Sequence, residues 1–314
     1  AMVIIEQTQK TDKVFRLPIA IDVYNGANKK RYNVWVENKV DTFTFKYTQK
    51  PELINVDADK VMLWVKTDNK TAENFVHQSK YAPLYLDRKE ALDYFAKKGM
   101  PELANGLTDR YAPLRRSTIG KLEASKIAED AKVIEAIEKI ANTEKDRRTK
   151  AAAISYLAKT SNAKYKAIYD KNINDSSYSV AGAALEGLIG LSPDKAYELA
   201  KKYSSDAKGD LGNVVNEEII KNGTEADFDF VANRFDEMPL SQAKVQTVPT
   251  FAGYLVKISD MAKVKKGVDL IVKFRNAIPE QFRGFVDPML KGSLGGLIKA
   301  KGKEIEDYIN EGFK

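Results

Sequence analysis

A period of about thirty residues constrains the fold of this chain more than any other feature. Through its second half, apolar residues recur at three- and four-residue spacing, as they do on the buried face of an amphipathic helix. These segments come in pairs, and the pairs open at Thr143, Asp175, Asp206 and Leu240, which are 32, 31 and 34 residues apart. Such a period is typical of helix pairs that bury their apolar faces on one another. The sequence therefore predicts an α-α superhelix of degenerate HEAT/ARM-like helix pairs.

Helix start and stop signals place the members of these pairs. The predicted helices cover residues 143–157 and 163–170, 175–188 and 193–203, 206–221 and 227–235, and 240–255 and 264–277. The small residues of 181–184 suit close packing inside such a stack. Upstream, Asp87 lies at or near the N-cap of a helix that Gly99 and Pro101 end. Residues 117–140 form one long helix or two shorter ones.

The first part of the chain has strand signals instead. Segments rich in β-branched and aromatic residues cover 2–7, 15–24, 31–36, 42–47, 53–56 and 61–65. Asn25-Gly26 separates two of them and is a strong hairpin signal, while Pro18 predicts an edge position or a bulge. Six or seven short strands at this spacing indicate a small antiparallel β-sandwich of immunoglobulin-like type. The pattern changes near residue 80, so we expect a β domain over 1–82 and a helical domain over 83–314.

Composition excludes several classes of site. The chain has no cysteine, which removes disulfides, thiolate metal sites and a cysteine nucleophile. Its net charge of +7 is compatible with a nucleic-acid partner, but the basic residues are scattered among acidic ones, and this scatter favours a solvated surface instead. The basic residues considered for a nucleic-acid surface are Lys145, Arg147, Arg148, Lys201, Lys202, Lys265 and Lys266. No apolar run is long enough for a membrane span, and no signal peptide precedes the first strand, so the sequence leaves the compartment open.

No catalytic constellation emerges from the remaining residues. The chain has one histidine, whereas a zinc peptidase helix of the HExxH type needs two. We predict that His77 is a solvent-exposed or interface residue in a linker. Gly120-Lys121 lacks the rest of a phosphate loop, and the glycines of 292–296 indicate a helix break rather than a dinucleotide site. The carboxylate pairs at 57/59, 217/218 and 227/229 are typical of solvated surface. We predict no catalytic residue, no metal ligand and no cofactor in this chain, and the sequence identifies no substrate-binding residue.

Several short segments, taken in order, resemble the C-terminal region of aminopeptidase-N-type zinc aminopeptidases, a gluzincin metallopeptidase family. The similar segments are 3–9 and 14–23 at the start of the β region, Lys50-Pro51 with the following 52–57, the helix over 84–95, and 174–186 in the helical repeats. The likeness extends over nearly the whole chain, although each motif is short.

The resemblance implies a non-catalytic part of a larger enzyme. In that family the HExxH helix, its distant Glu ligand and the loop that binds the free amine lie in an upstream domain, and none of these motifs occurs here. Zinc is accordingly expected upstream, in a catalytic domain of the same chain, and this part is expected to be inactive alone. The helical domain of such enzymes closes over the active site and restricts peptide access. A start directly in a strand is consistent with truncation at a domain boundary.

Two other functions are compatible with the pattern. A stand-alone helical-repeat scaffold offers an extended concave surface for protein segments. A nucleic-acid-binding repeat protein is favoured by the net charge alone. An HExxH motif encoded upstream of Met2 distinguishes the aminopeptidase from both.

Overall fold

The computed structural model describes residues 1–314, with strands in the first 56 residues and helices from residue 72 onward. This order confirms the predicted fold class, a small antiparallel β region followed by helices. Contacts divide the chain into two compact units, residues 1–140 and 141–314. The assignment of separate domains to 1–82 and 83–314 stays a prediction. No helix combines the length and the apolar composition that crossing a bilayer requires.

Five strands form two antiparallel sheets. They are β1 (Met2–Glu6), β2 (Leu17–Asn25), β3 (Asn28–Val36), β4 (Val40–Thr44) and β5 (Leu53–Val56). β1 pairs with β4, while β2 lies between β3 and β5. The predicted hairpin joins β2 to β3, with Gly26 at a φ of 57° in a two-residue turn. Pro18 pairs only with β3, because the pairing of β2 with β5 reaches no further than Ile21. The missing N–H of the proline therefore costs no hydrogen bond to β5.

Both sheets contribute to one hydrophobic core. Its buried centre consists of Ile19 and Ile21 from β2, Val36 from β3 and Phe45 just after β4. Val3 and other alternate residues of the β1–β4 sheet pack against this centre. Face-to-face packing of two sheets through alternate side chains is the arrangement of a β-sandwich.

The segment Val61–Val65 was predicted as a strand, and this prediction is wrong. Its side chains alternate as in a strand, with Met62 and Trp64 packed on the β core and Leu63 fully exposed. No other strand pairs with it, however. Alternating apolar and polar residues show which face of an extended segment is buried. A β-strand also needs a neighbouring strand that hydrogen-bonds with its backbone N–H and C=O groups.

Fourteen α-helices follow. Those that lie wholly or partly in the first unit are α1 (Ala72–Tyr81), α2 (Tyr85–Lys98), α3 (Ala112–Glu123) and α4 (Ala131–Thr143). α2 ends at Gly99, which adopts a φ of 66° as the predicted helix stop requires. Its N-cap is Leu84, so Asp87 lies in the first turn rather than at the cap. The stretch 117–140 is divided between two helices, α3 and α4.

His77 lies inside α1 and is buried, so the predicted linker position is wrong, and of its two predicted environments, solvent-exposed or interface, the solvent-exposed one is wrong. Thr71 begins this helix with a reciprocal capping box to Asn74. The imidazole ring packs between the rings of Tyr24 and Tyr81, at centroid distances of 5.7 and 4.6 Å. His77 is therefore part of the packing between α1 and the β2 strand.

A buried ionic network links β5 to α2. The fully buried carboxylate of Asp87 accepts a hydrogen bond from Asn55 at 2.9 Å and lies 3.1 Å from the ammonium group of Lys60. Lys60 also contacts Asn55 Oδ1 at 3.1 Å and Glu90 at 3.9 Å. Burial, followed by the nearby Lys66 cation, holds the pKa of Lys60 below its ordinary value. Asp57, predicted in a solvated turn, is buried beside this network.

The second unit consists of helix pairs. Its helices are α5 (Arg147–Ala158), α6 (Lys166–Asn172), α7 (Tyr178–Leu191), α8 (Ala196–Lys202), α9 (Gly209–Asn222), α10 (Phe228–Glu237), α11 (Gln242–Val256), α12 (Met261–Ala277), α13 (Glu280–Lys301) and α14 (Lys303–Gly312). α5, α7, α9, α11 and α13 each pack on the next in that series, and α10, α12 and α14 do the same. All eight helices predicted from the period are present. Their assignment to the HEAT class stays a prediction.

Equivalent side-chain hydrogen bonds join successive pairs. Arg147 donates to Asp175 at 2.6 Å, and the hydroxyl of Tyr178 donates to Asp206 at 3.2 Å. The two donors are the first residues of α5 and α7, and both donors and acceptors are 31 residues apart. The acidic residues that mark the sequence period therefore tie one pair to the next.

Asp227 gives the array a pH-dependent link. Burial alone raises the pKa of this carboxyl, but hydrogen bonds from Lys201, the Thr224 backbone and Tyr197 outweigh burial, and the pKa lies below its ordinary value. A lowered pKa in the folded state contributes stability above the unfolded-state value of about 4, and this contribution is lost as the pH falls through the folded-state value. We expect Asp227→Asn to lower the free energy of unfolding by about 1 kcal/mol at neutral pH. Urea unfolding at several pH values should show this difference shrinking below about pH 4; a constant difference would contradict the assignment.

Candidate functional site

An open groove of about 600 Å³ lies between α9, α10 and α11. We call it the amide groove. Its lining residues are Asn213, Asn216, Glu217 and Ile220 of α9, Arg234 and Glu237 of α10, Met238 and Pro239, and Ala243, Gln246, Thr247 and Thr250 of α11. Ile220 is buried and contributes apolar surface, while most of the other side chains end in amide, hydroxyl or carboxyl groups.

Helical spacing brings these polar groups to one side of each helix. Asn213 and Asn216 are three residues apart on α9, and Gln246 and Thr250 are four apart on α11, so each pair shares a face. The opposite faces bury Val215 and Val248 in the array. The groove therefore presents the outer edges of helices whose inner faces form the core.

Most of these polar groups have no partner within the protein. The Oδ1 atom of Asn216 is buried and accepts no hydrogen bond. The side chains of Asn213, Glu217, Glu237, Gln246 and Thr250 take part in no hydrogen bond or ion pair within the chain. These five side chains are exposed to solvent, so a ligand can replace water as their hydrogen-bond partner. The arrangement thus favours a ligand with hydrogen-bonding groups of both kinds.

Arg234 supplies the guanidinium group of the groove. Its Nη1 atom donates a long hydrogen bond of 3.4 Å to the carbonyl of Ala207, and no carboxylate pairs with it. Gly212 makes this position possible, because a Cβ atom there would overlap the guanidinium group and lie 2.9 Å from the Ala207 carbonyl oxygen. Arg234 is therefore held at the groove with several N–H groups left to donate.

Lys244 fixes the wall between α10 and α11. Its buried ammonium group donates to the carbonyls of Asp236 and Met238 at 3.1 and 3.0 Å and lies 4.9 Å from the ring centre of Phe235. Burial lowers the pKa of Lys244, and the Asp236 carboxylate opposes that effect. These bonds satisfy carbonyls at the end of α10 and set the position of the Met238–Pro239 wall.

The sequence motifs do not converge on this groove. Of the three carboxylate pairs, only 217/218 contributes to it, through Glu217. Asp227 is buried and paired with Lys201, while Asp229 pairs with Lys266 on the surface. Gly120 lies within α3, and the glycines of 292–296 lie within the continuous helix α13, so the predicted helix break is wrong. The structure holds no group of three or more His, Asp or Glu side chains placed to bind a metal ion.

Comparisons with known proteins give structural likenesses at low identity. No family profile matches the chain, and no curated protein matches it. One similar solved structure is the complex of CpcE and CpcF of phycocyanin lyase from a Nostoc species, with 13% identity, a TM-score of 0.42, and coverage of 75% of this chain and 99% of that chain. Another is Legionella pneumophila aminopeptidase A in complex with aspartic acid, with 13% identity, a TM-score of 0.40, and coverage of 93% of this chain and 47% of that chain. The chain thus spans about half the length of that aminopeptidase.

Proposed function

We propose that this chain binds extended peptide segments in the amide groove, as the non-catalytic C-terminal part of a zinc aminopeptidase. The observation that carries peptide binding is the set of unpaired amide, hydroxyl and carboxyl groups that three helices bring to one groove. An extended peptide exposes both N–H donors and C=O acceptors. A side-chain amide offers one acceptor and two N–H donors, so Asn213, Asn216 and Gln246 match both kinds of backbone group.

Arg234 gives the groove a place for a carboxylate. Guanidinium groups bind carboxylates through two parallel hydrogen bonds, and Arg234 has no acidic partner within the chain. We assign it to the free carboxyl terminus of the bound peptide. This role is the one that the family resemblance implies for a basic residue of the helical domain.

The aminopeptidase part of the proposal rests on the ordered resemblance over the chain. In that reading, zinc and the reacting groups belong to an upstream domain. The groups of this chain bind and orient the distant part of a peptide, and its helices restrict which peptides reach the reaction centre.

Peptide binding can be tested with the full 314-residue chain. Short labelled peptides of mixed sequence, with a free carboxyl terminus, are titrated by fluorescence anisotropy. We expect Asn213→Ala combined with Gln246→Ala to weaken binding by about 10-fold or more, since each lost hydrogen bond contributes about 0.5–1.5 kcal/mol. Asn233→Ala is the matched control, because this exposed asparagine of α10 lies outside the groove.

Two results would contradict peptide binding at this groove. One is the absence of binding by the wild-type chain. The other is binding that Asn213→Ala/Gln246→Ala and Asn233→Ala change equally. Arg234→Met adds a finer reading, since it should weaken binding of the free acid while leaving binding of the carboxyl-amidated peptide unchanged.

The alternative function is a stand-alone helical-repeat scaffold that binds protein segments. It makes the same prediction for the groove, so the two functions are separated by the gene. Sequencing the reading frame upstream of Met2 should reveal an HExxH motif and an amine-binding loop if the aminopeptidase proposal holds. A reading frame without them favours the scaffold.

A further inference from the structure

The charged side chains that line the amide groove are unequal in sign. Arg234 is the one cation among the lining residues, whereas Glu217 and Glu237 are both anions. Neither glutamate side chain forms a hydrogen bond or an ion pair within the chain, and Arg234 pairs with no carboxylate. A peptide carboxylate on Arg234 balances the guanidinium group and leaves the two glutamates uncompensated. The groove is therefore complementary to a peptide that also carries a positive charge.

Glu217 lies apart from Arg234 along the groove. The guanidinium group of Arg234 lies beside Gly212, since a Cβ atom placed on that glycine would overlap Nη2. Glu217 follows Gly212 by five residues in the same helix, α9, which is a rise of about 7.5 Å. Residues of an extended chain advance by about 3.3 Å each, so this rise corresponds to about two residues. For a peptide that runs along α9 with its carboxyl terminus at Arg234, the third residue from the end is thus level with Glu217.

The surroundings of Glu217 suit a long basic side chain. Asn213 lies four residues before Glu217 and Ile220 lies three residues after it, so the three side chains share one face of α9. Ile220 is buried and gives the groove apolar surface one turn from the exposed carboxylate. Lysine and arginine pack their methylene groups on apolar surface while the charged end stays at the rim. Apolar surface and a carboxylate are therefore both present where such a side chain needs them.

No cation of the chain is paired with Glu217. Lys221, four residues further along α9, has the spacing of a helical ion pair but forms none with it. The neighbouring Glu218 accepts a hydrogen bond from Asn222 at 3.0 Å and does not line the groove. Of these two adjacent carboxylates, Glu217 is thus the one available to a ligand in the groove.

We infer that the amide groove selects peptides with lysine or arginine at the third residue from a free carboxyl terminus, and that Glu217 binds this basic side chain. Glu237 lies only three residues from Arg234 on α10, at the carboxylate end of the bound peptide, so the basic side chain is assigned to Glu217. The ligand class is a peptide with a basic residue near its carboxyl end. This inference rests on the proposed peptide binding and adds a selectivity to it.

Fluorescence anisotropy of two matched peptides with the full chain tests the selectivity. The peptides differ only at the third residue from the carboxyl end, where one has lysine and the other the uncharged norleucine. We expect the lysine peptide to bind about 3-fold more tightly, as for a solvent-exposed ion pair, and this ratio to fall at high salt. Glu217→Gln should bring the ratio close to 1, whereas the matched control Glu218→Gln should leave it unchanged.

The position of the lysine gives a second measurement. A peptide with its lysine at the sixth residue from the carboxyl end places the charge about 10 Å further along an extended chain, beyond Glu217. We expect this peptide to bind no more tightly than the norleucine peptide. A preference for lysine that is the same at both positions would contradict the assignment to Glu217.

The outcomes separate this selectivity from the proposal on which it rests. Failure of both peptides to bind contradicts peptide binding itself and the selectivity with it. Binding of the lysine and norleucine peptides with equal affinity overturns the selectivity alone. A lysine preference that Glu217→Gln leaves intact, or that Glu218→Gln removes, overturns the role of Glu217.

Discussion

Replacing Gly182 by alanine is expected to lower the free energy of unfolding of the helical array by about 3 kcal/mol, near the upper end of overpacking effects. Gly182 lies in the middle of α7 at its contact with α9. A Cβ atom there would come within 2.8 Å of the Leu211 nitrogen and 2.9 Å of the Asp210 carbonyl carbon. Both are backbone atoms, so no side chain can turn aside, and the two helices must separate. Urea unfolding followed by far-ultraviolet circular dichroism measures the loss.

Gly253→Ala is the matched control for this substitution. Gly253 lies inside α11, and a Cβ atom there would meet no other atom within 4 Å. We therefore expect this variant to be more stable than the wild type by about 0.5–1 kcal/mol, the helix-propensity gain of alanine over glycine. The prediction is contradicted if both variants change the free energy of unfolding in the same direction. The close backbone contact at Gly182 would then not distinguish the two positions.

Asp87→Leu is expected to lower the free energy of unfolding of the first unit by about 3–4 kcal/mol, since it leaves a buried cation without its nearest anion. The ammonium group of Lys60 is 11% exposed and has Asp87 as its nearest carboxylate. The two tryptophans of the chain, Trp35 and Trp64, both lie in this unit. Tryptophan fluorescence during urea unfolding therefore reports on this unit rather than on the second.

A second substitution separates the ion pair from the packing. Lys60→Met removes the stranded cation, so the double variant Lys60→Met/Asp87→Leu should recover more than half of the loss, because an apolar pair replaces an ionic one. Additive losses in the double variant would mean that the two side chains contribute separately.

The elements predicted most reliably from the sequence were those with local signals. The Asn25-Gly26 turn and the Gly99 helix stop depend on backbone angles that few residues adopt, so they are readable without the rest of the fold. The helix pairs were readable because each must bury an apolar face every thirty or so residues. Val61–Val65 was misjudged because a strand also needs a neighbouring strand, which alternation does not reveal.

The candidate sites were not readable in this way. Asn213 and Gln246 belong to helices of different pairs. Sequence spacing relates residues within one helix, so it does not predict that these two amides share a groove. His77 was misplaced because its helix is amphipathic only in part and is capped by Thr71 with Asn74, a weaker signal than a capping glutamate. Phe282, Phe285 and Met289 of α13 have helical spacing in the sequence and are exposed in the structure, because spacing cannot separate an exposed apolar row from a buried one.

In the array of α5 to α14, each helix pair contacts mainly the pairs next to it. The stability of the array is the sum of contributions from the repeats and from the interfaces between neighbouring pairs, and it does not depend on one central hydrophobic core. Contacts between adjacent pairs are also close in sequence, so the contact order is low and folding can spread outward from any pair. A pair could therefore be gained or lost at an end of the array at the expense of one interface, leaving the geometry of the interior pairs unchanged.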